Sequence, residues 1–330
     1  MKTLAVLNTR GKRIAAYCAF AVLAFLLCLV LTFPYDAIRA RVVTEAAAQG
    51  YAVRMSSLRP GLRGLTATDV RISKPPAPLS AETMSTLSEG DAKALARVPP
   101  AELGEALLVS SVALRPSLFP LGVAFHANAL EGHVTGSVGA VGALAADVEM
   151  EGLKTSTGNL KGFTGMDLDG TLEGALSLDV PRGAGAAAGF DFSKANGSVR
   201  LNGAGLVIKG GTVTVPMYGT PTPMDLPRIT LGDVRALLNI VEGAGTLEEM
   251  QGKSSDLELR GSGTLKLARR FEYSEPAMEF RIKADPDFVK RLGLIGAGLS
   301  VLPADRKDPG FRVAKLSGLL GRPKFGPGSR

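Results

Sequence analysis

Two histidines, His126 and His133, are the residues of this sequence whose type and spacing come closest to a metal site. A hairpin turning near Leu130–Glu131 would place them on adjacent strands, where two imidazoles can face one metal ion. Two ligands rarely hold zinc, and the sequence has no His-Glu-x-x-His motif to complete a set. We therefore expect both histidines to be surface residues of strands, and we expect no metal.

The two cysteines, Cys18 and Cys28, both fall inside an apolar segment near the N-terminus. The rest of the chain therefore has no cysteine for a disulfide or for a thiolate metal site. Neither cysteine follows the small-residue pattern of a bacterial lipoprotein signal, so we expect no lipid attachment there.

A glycine pattern, Gly183-x-Gly185-x-x-x-Gly189, resembles the phosphate-binding loop of dinucleotide-binding folds. That loop needs a helix after it, whereas here Pro181 follows one strand and another strand comes next. We interpret Pro181 to Gly189 as a flexible loop. The sequence also lacks a Gly-x-Ser-x-Gly elbow and a Gly-Lys-Ser/Thr phosphate loop, and its carboxylates are scattered over polar strand faces. We expect no catalytic residue and no cofactor, so the sequence predicts a protein that is not an enzyme.

The net charge of +7 is concentrated at the N-terminus. Lys2, Arg10, Lys12 and Arg13 precede the apolar segment, and no acidic residue occurs before Asp36. Without these four residues the chain carries a net charge of +3. This asymmetry is a membrane-topology signal rather than a phosphate-binding surface, and we expect no nucleic-acid partner.

The first structural element that the sequence predicts is an apolar segment from Ile14 to Phe33, which has twenty residues and no charge. A helix of this length spans about 30 Å, the hydrocarbon thickness of a bilayer. A cleaved signal peptide would end in a small-x-small site, which Leu31 to Tyr35 does not offer. We predict a cytoplasmic basic tip at residues 1–13, a transmembrane helix at residues 14–33 and a periplasmic remainder, in a single-pass protein of the inner membrane.

The first part of the exported chain, residues 34–73, predicts a membrane-proximal helix and two strands. The helix covers Asp36–Gln49, and the strands cover Tyr51–Ser56 and Leu65–Ser73, with a turn at Pro60-Gly61.

Residues 74–105, rich in Pro, Ala and Ser, predict a linker or a mobile insertion. Residues 106–330 then predict a periplasmic β-rich domain. The 40 glycines, the scarcity of aromatic residues and the absence of tryptophan suit many short strands joined by tight turns.

Alternation is the main evidence for strands in this domain. Within Leu172–Val180 and Pro276–Ala284, apolar residues alternate with polar ones, which predicts strands with one apolar face. The predicted fold is mainly β: an elongated, mostly antiparallel sheet with a few short helices, for which a β-sandwich-like arrangement is one alternative. Finer predictions are hairpin turns at Asn196-Gly197 and Gly210-Gly211, helices at Gly232–Val241 and Asp287–Leu302, strands at Asp256–Arg260, Gly263–Ala268 and Phe311–Leu320, and a frayed end at Arg322–Arg330.

The order of several short motifs is specific. The motifs are Phe33-Pro34-Tyr35-Asp36-Ala37-Ile38-Arg39-Ala40-Arg41, Gly50-Tyr51-Ala52-Val53, Leu58-Arg59-Pro60-Gly61-Leu62-Arg63-Gly64, Leu226-Pro227-Arg228-Ile229-Thr230-Leu231-Gly232, Asp256-Leu257-Glu258-Leu259-Arg260-Gly261-Ser262-Gly263-Thr264-Leu265-Lys266-Leu267 and Leu316-Ser317-Gly318-Leu319-Leu320-Gly321-Arg322-Pro323-Lys324-Phe325. With the anchor in front of them, they resemble the type II secretion system protein N family (general secretion pathway protein N), in its longer form. The Phe-Pro start and the strand with glycine-containing turns also look like the opening of AsmA-type envelope proteins. This likeness implies an AsmA-like sheet as the other alternative to a β-sandwich-like one.

The first resemblance implies a non-enzymatic inner-membrane protein that acts as a structural, interaction or assembly factor in the export of folded proteins. Its partners would be other inner-membrane or periplasmic components of the secretion system, besides the bilayer itself. The second resemblance implies an alternative, an envelope protein that handles lipid in an apolar groove of its sheet. An apolar face closed by protein would favour the first, and an open one the second.

Overall fold

The computed structural model describes seven residues between positions 17 and 28 and most of the chain from Pro34 onward. The described ranges from there are 34–61, 64–118, 121–139, 141–164, 166–183, 189–217 and 220–327.

The predicted basic tip lies outside the described residues, as does most of the predicted transmembrane segment. The seven described residues of that segment are helical, and the side chains of Tyr17, Phe20 and Phe25 are about two-thirds or more exposed. Within the part of the chain that the structure describes, no helix is both long and apolar enough to cross a membrane. The anchor stays a prediction.

The described chain is mainly β, as predicted, with short helices between some strands. The strands are β1 Ala52–Arg54, β2 Ser57–Gly61, β3 Gly64–Ser73, β4 Ala106–Leu118, β5 Leu121–Ala129, β6 Gly132–Gly139, β7 Ala143–Lys154, β8 Leu168–Pro181, β9 Asn196–Ile208, β10 Gly211–Met217, β11 Thr220–Leu226, β12 Ile229–Val241, β13 Ala244–Lys253, β14 Leu257–Lys266, β15 Glu275–Ala284, β16 Arg312–Leu319 and β17 Arg322–Pro327. The helices are α1 Tyr35–Ala48, α2 Ala81–Glu89, α3 Ala92–Leu95, α4 Pro100–Leu103, α5 Leu160–Thr164, α6 Pro286–Arg291 and α7 Leu294–Val301.

Fifteen of these strands form one antiparallel sheet in which almost every strand pairs with its neighbours in sequence. The short strands β1 and β2 both pair with β3 and together form one edge, and β17 forms the other. Beyond this first edge, the sheet departs from sequence order at one point, where the hairpin β10–β11 leaves between β9 and β12 and pairs only with itself. With strands about 4.8 Å apart, the sheet extends roughly 60 Å from edge to edge.

Both edges carry features that oppose pairing with a further strand. Helix α1 packs along β1 and β2, and Val43 on its buried side is 1% exposed. At the far edge, β17 contains Pro323 and Pro327, which donate no backbone hydrogen bond, and Lys324 between them. Covered edges, prolines and lysines are the usual means of preventing edge-to-edge aggregation.

Residues 74–105, for which a linker or an insertion was predicted, form a folded insertion. Its helix α2 begins at Ser80, whose hydroxyl accepts a hydrogen bond from the Thr83 backbone N–H, and ends at Gly90 with φ of 67°. Leu87 of α2 and Leu103 of α4 pack with Val43 of α1 and with Ala52 of β1. The insertion is therefore held to the edge of the sheet by a small hydrophobic core.

The predicted helix at Gly232–Val241 is wrong, because this segment lies in strand β12. Val234, Ala236, Leu238 and Ile240 face one side of the sheet in cross-strand register with β9 and β13. Leu237 lies on the opposite side of the sheet. Because it is also apolar, the spacing of apolar residues in this segment resembled that of a helix rather than the period of two of a strand.

Two predicted turns are also wrong, and a third turns the chain without forming the predicted hairpin. Pro60 and Gly61 lie in β2, and Asn196-Gly197 begins β9 rather than turning a hairpin. Gly210-Gly211 does turn the chain, with φ values of 90° and 131°, but β9 and β10 on either side belong to different sheets. Positive φ is therefore used here to redirect the chain into a separate hairpin.

The C-terminal predictions are partly right. Strands β15 and β16 agree with the prediction, and Asp256–Arg260 and Gly263–Ala268 merge into the single strand β14. The predicted helix at Asp287–Leu302 is broken into α6 and α7 at Gly293, whose φ is 56°. The predicted frayed end is wrong for Arg322–Pro327, which pairs with β16; residues 328–330 lie outside the described residues.

Candidate functional site: the apolar face of the sheet

One side of the long sheet is apolar from β3 to β17, and we call it the apolar face. Cross-strand pairing places Leu65 beside Leu114 and Leu114 beside Phe125, and further along it places Phe280 beside Ala314. Between these ends, the same side continues through the following residues: Val134, Met150, Val148, Leu176, Val199, Leu238, Leu247, Met278 and Leu316. The alternation seen in Leu172–Val180 and Pro276–Ala284 is thus a local piece of one continuous surface.

Charge is confined almost entirely to the other side, the polar face. Among the described residues, the paired positions of the apolar face from β4 to β15 include no charged side chain. Their neighbours on the polar face include Arg200, Arg235, Glu249 and Arg260. A surface of this composition favours a ligand whose contacting groups are also apolar.

Two clusters cover parts of the apolar face. At the α1 end, Val53, Met55, Ala67, Val70 and Val109 are buried, with Ala46 of α1 against them. Along one rim, a second cluster is formed by Val180, Ala195, Ile240, Leu265 and Leu267, with Phe190 and Phe192 from the β8–β9 connection. Both clusters lie at margins of the face.

The middle of the face is only half-buried. Phe125, Val148, Leu176, Val199 and Phe280 are neither buried nor fully exposed. No described helix packs extensively on β6, β9, β12 or β13. Val138 and Leu201 on this face are 38% and 37% exposed. Neighbouring side chains shield one another, which accounts for this partial burial.

Glycines on the apolar face let large side chains lie flat over neighbouring strands. Phe125 lies against Gly136, where a Cβ would clash with its ring. Met250 lies over Gly261 in the same way. These contacts smooth the face and account for glycines in strand interiors, where glycine otherwise weakens a strand.

Helices at the C-terminal end pack on the polar face and leave the apolar face open. Phe311, 2% exposed, lies under the Arg260 guanidinium at 4.7 Å and beside the Lys283 ammonium at 5.8 Å. Arg291 of α6 donates a 2.8 Å hydrogen bond to the buried Asp256 carboxylate, which also accepts from the Thr230 backbone N–H at 2.8 Å. Burial alone would raise the pKa of Asp256, but these hydrogen bonds outweigh it and hold the pKa below its ordinary value.

The two histidines lie on the polar face of adjacent strands, as predicted. The β5–β6 turn at Leu130 and Glu131 has positive φ at both residues, which is typical of a two-residue hairpin loop. The rings of His126 and His133 stack with centroids 5.6 Å apart, and His133 Nδ1 lies 2.7 Å from Asn128 Oδ1. In the described part of the chain, no group of three or more His, Cys, Asp or Glu side chains is placed to hold a metal ion.

The other residues considered for chemistry contribute no site. Cys28 is exposed, whereas Cys18 lies outside the described residues. Most of the loop from Gly183 to Gly189 also lies outside them, so its predicted flexibility stays a prediction.

The fold defines a class of protein: a long, single-layer antiparallel sheet with one continuous apolar face. Comparison with protein-family models, with curated proteins and with solved structures gives no match to this chain. The resemblance to the type II secretion protein N family therefore stays a prediction.

Proposed function

We propose that this protein is a non-enzymatic, inner-membrane-anchored component of a type II secretion system, and that its periplasmic sheet acts through the apolar face. The order of motifs along the sequence supports the place in the secretion system. The observation that carries the binding role is the half-buried middle of the apolar face, without a charge at its paired positions from β4 to β15.

The energetic argument for a ligand is simple. Burying a large apolar side chain completely is worth about 1.5–3 kcal/mol relative to leaving it in water. The half-buried residues from Phe125 to Phe280 each forgo part of that free energy in the isolated protein. A ligand that covers the middle of the face would recover it, which makes the face a binding surface rather than a finished core.

A second candidate function is lipid handling, and the openness of the face specifically favours it. In a structural scaffold, other parts of the same protein would cover the apolar face. A surface that binds acyl chains must instead stay partly exposed, as Phe280 is. Lipid on this face and membership of a secretion system are compatible, so the two candidates differ in what occupies the face.

Site-specific photo-crosslinking identifies that occupant directly. A photoreactive phenylalanine analogue at position 280 reports on the apolar face, and the same analogue at position 281 is the matched control on the polar face. A lipid-sized mass addition at position 280 alone supports lipid handling. A protein-sized adduct with a secretion component supports the scaffold role, and equal labelling at both positions contradicts a binding role for the face.

Membership of the secretion system is tested by deleting the gene. We expect folded cargo to accumulate in the periplasm while its synthesis continues. Normal export of all cargo in the deletion strain would contradict the proposal.

A further inference from the structure

A pocket lies on the polar face, between the edge of the sheet and the insertion of residues 74–105. It is a cavity of about 350 Å³, lined by Arg54, Ser56, Asp69, Arg71, Gly90 and Leu95. Its floor is the cross-strand pair Arg54–Arg71 of β1 and β3, and its roof is the end of α2 together with α3.

The charges in this pocket are unbalanced. Arg71 donates to both carboxylate oxygens of Asp69, at 3.2 and 3.3 Å, and Ser56 Oγ donates to the same carboxylate at 2.7 Å. The Asp69 carboxylate therefore already has partners. Its pKa lies below the ordinary value, mainly because of the Ser56 hydrogen bond and secondly because of Arg71. No ion pair within 4 Å joins Arg54 to a carboxylate among the described residues.

The Arg54 guanidinium is also incompletely hydrogen-bonded. Its Nε is buried and has no hydrogen-bond partner among the described residues. Burial, and secondly the like charge of Arg71, lower the pKa of Arg54, and Asp69 offsets this only in part. A half-buried guanidinium without an ion-pair partner loses part of its hydration, and an anion bound beside it would offset that cost.

The pocket lies close to the predicted membrane surface. Arg39 of α1 donates from Nη1 to the Glu89 backbone carbonyl at 3.0 Å, and its guanidinium packs against Gly90, where a Cβ would clash. Arg39 is five residues after Pro34, about 8 Å along a helix from the end of the predicted anchor. The headgroup region of a bilayer extends about 5–8 Å beyond the hydrocarbon core on each side, so the predicted anchor would keep this contact near lipid phosphates.

We propose that this pocket binds the phosphate group of an anionic phospholipid headgroup, with Arg54 as its principal ligand. Guanidinium groups match phosphate oxygens in geometry and charge, and a cavity of this size admits a headgroup. The choice of lipid over free phosphate rests on the anchor of the proposed function.

The test uses the full chain in a non-ionic detergent, with two probes added separately. These are inorganic phosphate and a short-chain phosphatidylglycerol below its micelle concentration, and binding is read as a rise in the melting temperature. We expect the lipid to raise it, and Arg54→Gln to weaken lipid binding about tenfold or more, since charge-assisted hydrogen bonds are lost. Arg59→Gln is the matched control, because Arg59 lies on the same sheet edge outside the pocket.

A second variant keeps the test decisive if Arg54→Gln does not fold. Ala96 lines the pocket and is exposed, so Ala96→Glu would place a carboxylate near Arg54, keep the fold and abolish the response. A response to inorganic phosphate alone would overturn the lipid assignment. No response to either probe, or an equal response in Ala96→Glu, would overturn the site. Neither result affects the crosslinking experiment at position 280. The proposal for the pocket and the proposal for the apolar face can therefore be refuted independently.

Discussion

Replacing Phe280 by Glu distinguishes an open apolar face from a closed core. Phe280 is half-buried and pairs across the sheet with Gly261 and Ala314, neither of which can cover its ring. A glutamate there would keep its carboxylate in water if no other protein layer lies above it. We therefore expect the variant to fold and to lose the apolar ligand.

The size of the effect follows from the burial. Truncating a fully buried Phe typically costs about 3–5 kcal/mol, and a half-buried one should cost roughly half as much. Phe288 of α6, which is 1% exposed, is the matched control. We expect Phe280→Ala to cost about 1.5–2.5 kcal/mol and Phe288→Ala about 3–5 kcal/mol. We expect Phe288→Glu to prevent folding because it buries an unpaired charge.

Thermal unfolding followed by far-ultraviolet circular dichroism is the suitable assay, since the chain has no tryptophan. Mass spectrometry of lipid that survives purification runs beside it. If Phe280→Glu unfolds the protein as completely as Phe288→Glu, and wild-type protein carries no lipid, then a protein layer covers the face and our reasoning about its openness is refuted.

Three further predictions concern topology, acid stability and the histidines. A periplasm-specific reporter should be active when fused after Arg330 and inactive when fused at Arg13. An active Arg13 fusion would contradict the predicted orientation of the anchor. Because the pKa of Asp256 is lowered on folding, its carboxylate stabilises the folded protein above the unfolded pKa of about 4, and this contribution is lost as pH falls through the folded pKa. Asp256→Asn should therefore flatten the acid dependence of the melting temperature. Asp287→Asn, which removes an exposed ion pair, should leave that dependence unchanged. His126→Gln with His133→Gln should keep the fold and function, and one equivalent of zinc that this double variant loses would contradict our interpretation.

The fold class could be predicted from the sequence because the strands are strongly one-sided. The alternation around Phe280 survives in the structure as a row on the apolar face, and the pairing of β15 with β14 and β16 follows from it. A period of two is a local signal, and each strand here carries its own copy of it.

The predicted turns failed because glycine has two uses in this chain. In the sequence, Asn196-Gly197 has the composition of a hairpin turn. In the structure, Gly197 lies in β9, and a Cβ there would clash with the Ser177 carbonyl of β8. Close approach between strands depends on the neighbouring strand, which a single segment of sequence does not reveal.

The pocket at Arg54 could not be predicted for a similar reason. Arg54 and Arg71 are separated along the chain by strand β2, and they meet because β1 pairs with the far end of β3. The roof comes from residues 74–105, whose composition predicts a linker or an insertion, so neither half of the pocket carries a motif of its own.

The arrangement of helices explains why the apolar face can stay open. Both helical regions are attached at the ends of the sheet, the first through Ala52 at the β1 edge and the second through Asp256 and Phe311 on the polar face. They fix the ends of a sheet roughly 60 Å long, while the strands between them pair with one another and pack against the β8–β9 connection along one rim. Stability therefore comes from cross-strand pairing, from the two end regions and from this rim cluster. The middle of the apolar face is left free to exchange water for a ligand without the fold being disturbed.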